Sequence, residues 1–458
     1  MQTKIQNTVV LNHTLHVNPI QEDRKPTNSL FIFIFSLIFL VWFSVSIQGI
    51  VDLQLPFYCN NSQNFLALAY PMHIDRFEDE HKHAIIQKYR IDTQNQIEEL
   101  EIRFDGRFIF YSVVSASVAI IYMYLLTQTI SRFMIYLSTI LLIIGLVVYV
   151  VVSLIIAIPF DHIHRIILFS FSLVYLLYHS IVLMCLQKIG FKTITDIIKD
   201  SCRAVILCPS IIIFTCIMSA IIILVFAFSL YIFKCIALSN NDCSHIIAYC
   251  CVDIIGGIII VSFLINFTQI AISEYTINWF WTDDKNLVTH SFISSSIEKT
   301  IGYHMGTVAF ASIPLLPNIC ASFHVCTCQY ESDGVIKKEN IFIRFISQIA
   351  LIFYIKDYAL IHTSIYGFDF SNSAVAAIAL VSENASLFLA ATEISNLVLL
   401  VGAAVATVPF AIEDHPYLAL YSFPLPFFIL LVTAIRALLV NKMIIQSTSE
   451  ILKEKLEV

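Results

Sequence analysis

Residues 262–281 read SFLINFTQIAISEYTINWFW, and residues 303–311 read YHMGTVAFA. The first stretch closes an apolar run that begins at Ile246, long enough to cross a hydrocarbon core of about 30 Å at 1.5 Å per residue. At 100° per residue, Ser262, Asn266, Gln269 and Ser273 fall on one narrow helical face. That stripe runs into Tyr275, Trp279, Phe280 and Trp281, and the chain resumes with Tyr303 and His304. A polar stripe leading into aromatic rings is what a path for a small organic cation requires.

Composition agrees with a membrane solvent. Hydrophobic residues make up 58% of the 458 and charged residues 13%, and the mean hydropathy is +0.82. These values lie well beyond a soluble domain and define an all-α polytopic integral membrane protein, with lipid as its surroundings. The net charge of -7 is spread over loops and leaves no basic face for nucleic acid. Most of the 12 cysteines, Cys185, Cys216, Cys250 and Cys251 among them, sit inside apolar runs and read as core residues.

Residues 1–29 read as a polar, disordered cytosolic tail with Lys4, Arg24 and Lys25. The transmembrane region takes residues 30–440, and 441–458 form a short charged cytosolic tail. Spans are expected at Leu30–Val51, Phe108–Ile130, Phe133–Ile158, Ile166–Leu186, Val205–Phe233, Ile246–Ser273, His304–Val325, Ser386–Ala411 and Leu418–Val440. Residues 52–107 form a large first loop outside the cytosol, carrying the sequon Asn60-Asn61-Ser62, so Asn60 is the glycosylation candidate. His81 and His83 beside Glu78 and Glu80 suit either a metal or a solvated charged helix, and no metal is assigned. Cys235 and Cys243 read either as a disulfide, with each other or with Cys59, or as free thiols. The connection 187–203 carries Lys188, Lys192, Lys199 and Arg203 against two aspartates, which the positive-inside rule puts in the cytosol. Residues 326–385 are expected in the cytosol. Within them, Phe342–Tyr366 is interrupted by Lys356, Asp357 and His362 and reads as amphipathic helices on the inner surface.

Three blocks in order resemble the choline transporter-like family. The first is Lys199-Asp200-Ser201-Cys202-Arg203-Ala204-Val205 with Pro209-Ser210. The second is Gln269 and the aromatic cluster followed by the nine residues Tyr303–Ala311, the most specific of the three. The third is residues 359–374, ALIHTSIYGFDFSNSA. The resemblance runs from Leu30 to the end of the chain, and the sequence is identified as a short, diverged member. It implies about ten transmembrane helices, one more than the nine spans above. The extra crossing belongs either to Phe342–Tyr366 or to a re-entrant segment within Trp279–Lys299. It further implies a carrier for choline or a related small amine such as ethanolamine, without a cofactor, in the plasma membrane. Departures stand beside the matches: Val375 replaces a basic residue, Glu383-Asn384 replaces an Arg-Asn pair, and Cys59 alone survives of a Gly- and Cys-rich first loop. They motivate the alternative of a membrane scaffold that keeps the fold without transport.

A quaternary ammonium has no hydrogen-bond donor on its head and is held by aromatic faces within about 6 Å. The substrate candidates are therefore Tyr275, Trp279, Trp281 and Tyr303, with Asn266, Gln269 and His304 for a hydroxyl. Taken singly, Trp279 and Trp281 are better explained by interfacial anchoring, and interhelical hydrogen bonds also explain the stripe. Glu274, His304 and Asp253 are the proton-coupling candidates among the intramembrane ionisable groups, which also include Glu393 and Arg436. No P-loop, paired metal motif or G-x-S-x-G elbow is visible, so no enzymatic activity is expected.

Overall fold

A computed structural model describes residues 24–54, 106–127, short pieces within 132–152, 162–237, 243–282, 291–313, 341–411 and 424–456. The described elements are all helical. In chain order they are α1 (Ser29–Gln54), α2 (Gly106–Thr127), α3 (His162–Ile189), α4 (Phe191–Ile206), α5 (Pro209–Ala237), α6 (Cys243–Trp281) and α7 (Ser291–Lys299). A π-helical turn, Thr300–His304, leads into α8 (Met305–Ser312). Then come α9 (Ile341–Tyr366), α10 (Phe370–Glu383), α11 (Ala385–Ala411) and α12 (Pro424–Leu456). Five helices among the described residues are long and apolar enough to cross a membrane: α1, α5, α6, α11 and α12. The sequon at Asn60, Cys59, the His81 and His83 cluster and most of the Phe133–Ile158 span lie outside the described residues.

The 39-residue α6 is the axis of the molecule. It does not stop at Ser273, because nothing between Glu274 and Trp281 breaks a helix, so stripe and aromatic cluster belong to one rod. Its first half turns Ile254, Ile255 and Ile258 outward, whereas Ile270, Ala271, Ile272 and Ile277 near its end are fully buried. The helix thus passes from lipid into protein. Lipid-facing apolar side chains recur on α1 at Leu30, Phe33 and Leu37 and on α5 at Ile213, Ile217 and Leu224, as expected where the solvent is hydrocarbon and the backbone must satisfy itself. On one flank α6 packs against α1, α5 and α8, and on the other against α9 and α12. Beyond those, α11 gathers α2, α3 and α12.

The segment 187–203 is not a bare connection. It forms most of α4, whose Ile194, Ile197, Ile198, Ser201, Cys202 and Val205 are buried at helical spacing. Its charged residues occupy the opposite face, where Arg203 and Asp200 pair at 3.6 Å about half exposed. Cys235 is a buried free thiol.

Two expectations need correction. Residues 24–28 are not a loose tail: Arg24 and Thr27 are buried while Lys25 and Pro26 are exposed. Nor does the described part of Phe342–Tyr366 lie on a surface. Every residue from Tyr358 to Tyr366 is buried, and α9 with α10 forms a pair bent by 106° at Gly367-Phe368-Asp369. Its charged interruption is satisfied internally, because Asp357 accepts from Arg436 of α12, whose guanidinium also lies 5.1 Å from the Tyr354 ring. Arg436 is therefore engaged inside the bundle and does not snorkel to its edge.

Candidate functional site

The polar centre of the molecule lies where α6, the π turn and the end of α9 meet the segment before α1. Glu274 reaches it from α6 with a side chain that is fully buried. A lone carboxylate there would be costly, and two cations answer it. Arg24 Nη1 stands 3.2 Å from Oε2, and Lys299 Nζ stands 3.2 Å from Oε1. The two differ in setting, for the Arg24 side chain is 1% exposed and that of Lys299 34%.

The guanidinium makes further contacts. Nη1 lies 3.0 Å from His304 Nε2, and Nη2 donates to the Ser364 carbonyl at 2.9 Å. A guanidinium only donates, so Nε2 accepts and His304 is neutral with its proton on Nδ1. That Nδ1 is buried without a hydrogen-bond partner.

Local backbone chemistry sets the site up. In the π turn the helical register slips, and the Tyr303 carbonyl faces the N-terminal segment, accepting from Thr27 N–H at 2.9 Å and Thr27 Oγ1 at 3.0 Å. Thr27 Oγ1 and Thr307 Oγ1 are 2.7 Å apart, and Asn28 Nδ2 donates to Thr307 Oγ1 at 3.3 Å. Gly306 permits this docking: a Cβ there would lie 2.1 Å from the Thr27 carbonyl oxygen and 2.4 Å from the Asn28 carbonyl carbon. Gly367 has φ +68°, and a Cβ on it would come 3.2 Å from Arg24 Cγ. Both glycines belong to the sequence blocks of the family resemblance, and both make room for residues 24–28.

The expected residues separate into those the structure gathers and those it distributes. Glu274, Tyr303 and His304 come together. Gln269 and Asn266 continue the stripe along α6. Asn266 Nδ2 donates to Ser312 Oγ of α8 at 3.1 Å, and Asn266 Oδ1 and Gln269 Oε1 are buried without partners. The aromatic cluster instead fans outward. Tyr275 OH donates to the Ala204 carbonyl of α4 at 2.9 Å, Trp281 Nε1 donates to Asn441 Oδ1 of α12 at 3.1 Å, and Trp279 is buried in the main core. Asp253 is remote: 21 residues before Glu274 on one helix, it lies about 31 Å away. It accepts from Trp42 Nε1 at 3.0 Å and from Ser229 Oγ at 3.2 Å. Glu393 accepts from Tyr178 OH at 2.6 Å in a separate polar layer. Arg24 is the residue that sequence reading missed, and Gly306 and Gly367, the glycines that residues 24–28 pack against, carry the one signal of a close approach.

Residues 166–453 match the sequence model of the plasma-membrane choline transporters. Among curated proteins none matches the chain. The matched range contains Glu274, Lys299, His304, Gly306 and Ser364, and it extends over more than half of the sequence. The chain is a helical integral membrane protein and belongs to the plasma-membrane choline transporter family.

Proposed function

We propose that the protein is a secondary transporter, facilitative or proton-exchanging, that moves choline or a related small amine such as ethanolamine across the plasma membrane. The observation that carries this reading is Glu274, a carboxylate sealed inside the bundle and bound to an organic cation, the Arg24 guanidinium. A carboxylate that holds one organic cation has the charge to hold another. Tyr303 supplies a ring whose centroid lies 6.4 Å from that of His304, and Gln269 and Asn266, further along α6, carry buried acceptors without partners. His304 takes a proton on Nε2 only when Arg24 is withdrawn, because the guanidinium now holds that lone pair. In this reading Phe342–Tyr366, which falls in α9, or a re-entrant segment within Trp279–Lys299 completes a ten-helix domain over residues 30–440. The loop 52–107, with Asn60 glycosylated, faces away from the cytosol, and both tails lie within the cytosol.

The test is uptake of labelled choline and ethanolamine by vesicles containing the purified protein. Saturable uptake that Glu274→Gln abolishes supports the carrier. Absence of saturable uptake from a folded protein favours the scaffold reading. That second reading is motivated by Val375, half-buried on α10, and by Glu383 at the end of the same helix, where the family carries bases.

A further inference from the structure

We propose that residues Arg24–Asn28 are an internal plug: Arg24 occupies the cation site of Glu274, and substrate reaches that site only when the segment leaves. The proposal rests on the carrier reading above.

Taking a guanidinium out of water costs several kcal/mol unless its new contacts replace hydration. Arg24 meets that cost on a non-helical segment just before α1, through Glu274 of α6, His304 of the π turn and Ser364 of α9. It is a hub joining three elements, yet it lies outside residues 166–453, where all of those partners lie. The neighbouring Lys25 and Pro26 stay exposed. The segment therefore dips inward through two side chains, Arg24 and Thr27, and is not woven into the core. Every hydrogen bond that Thr27 and Asn28 make to α8 and the π turn is polar and exchangeable with water.

A second observation separates a plug from a fixed structural strut. His304 Nδ1, on the ring whose other nitrogen meets Arg24, is buried with no hydrogen-bond partner. Buried polar groups are nearly always satisfied in a finished core. With Arg24 in place the site keeps a donor that the guanidinium does not use. A hydroxylated ammonium ion offers the positive charge and, in addition, a hydroxyl oxygen that can accept from it. The plug thus supplies the charge of a substrate without its polar tail, and the substrate has groups to satisfy that the plug leaves open.

The lock is testable through the hydroxyls of Thr27 and Thr307, 2.7 Å apart. The double variant Thr27→Cys with Thr307→Cys places two thiols within bridging reach. In vesicles, labelled choline uptake is measured before oxidation, after oxidation and after reduction, and the linked peptide is identified by mass. The expected result is an uptake loss of at least about tenfold on oxidation of the double variant, restored by reduction, with no change on oxidation in either single variant. Full uptake by the linked protein overturns the plug. Arg24→Ala is expected to lower the half-saturating choline concentration by about tenfold, the factor for a plug docked about nine-tenths of the time. Uptake lost to every form, the unsubstituted protein included, overturns the carrier reading instead. The plug is then judged on the Thr27→Cys thiol alone. Its labelling by a maleimide is expected to be slow and to quicken several-fold when combined with Gly306→Val, which evicts the segment; equal labelling in both backgrounds overturns the plug.

Discussion

Asp253 and Glu274 are two carboxylates on one helix, separated by about the thickness of a hydrocarbon core, and the protein neutralises them by different means. Glu274 is met by full charges, Arg24 and Lys299. Asp253 is met by neutral donors, the Trp42 indole and the Ser229 hydroxyl. The first arrangement suits a cation that comes and goes, because its members keep their charge in water. The second suits a joint between helices, binding α1 and α5 to α6. Gly256 and Gly257 fit this role: a Cβ on Gly256 would lie 2.5 Å from Trp42 Cδ1, and one on Gly257 2.7 Å from Ser229 Oγ. Position inside a membrane does not by itself make a carboxylate a transport group. The charge of its partners is the better guide.

The comparison breaks or sharpens through substitution. Glu274→Gln strands Arg24 without its carboxylate, and we expect a loss of about 3–5 kcal/mol, read from unfolding in detergent, together with loss of choline uptake. Trp42→Phe takes one donor from Asp253 and should cost about 1.5–3 kcal/mol in the same assay, with choline half-saturation unchanged. Asp253→Asn should cost less than about 1 kcal/mol, because the amide still accepts from Trp42 and can donate to Ser229. A loss as large as that of Glu274→Gln would show that Asp253 has a cationic partner and would erase the distinction. Lys299→Gln is the smallest effect, under about 1 kcal/mol, since an ion pair with a third of its lysine exposed is largely screened. A greater loss would make Lys299 the principal partner of Glu274 in place of Arg24.

The helices were legible where hydrophobicity is periodic or continuous. α1, α5 and the start of α6 follow from apolar runs, and Glu274 and His304 stand out as ionisable groups inside them. Arg24 was not legible. A lone arginine in Arg24-Lys25-Pro26-Thr27-Asn28, just before a span, has the composition of an ordinary cytosolic flank. Its burial depends on partners 250, 280 and 340 residues away, and no local pattern encodes such distances. α9 was misread for a related reason. Lys356, Asp357 and His362 mark a surface when counted singly, but Asp357 is neutralised by Arg436 and His362 stacks on Tyr366 at 5.8 Å. The aromatic cluster is a different case: the expected span ended at Ser273, whereas α6 carries Tyr275, Trp279 and Trp281 on the same rod, with the Tyr275 and Trp281 hydrogen bonds running to α4 and α12.

The bond from Arg24 to the Ser364 carbonyl has a mechanical meaning. Ser364 lies in the last turn of α9, where carbonyls lack intrahelical partners and carry the negative end of the helix dipole. Gly367 N–H satisfies the Thr363 carbonyl at 2.9 Å, and Arg24 satisfies the next one. A residue 340 positions away thus serves as the C-terminal cap of α9 at the point where the chain turns through 106°. If the proposed plug leaves, withdrawal of Arg24 uncaps that turn, so vacating the proposed cation site and loosening the elbow between α9 and α10 are a single event.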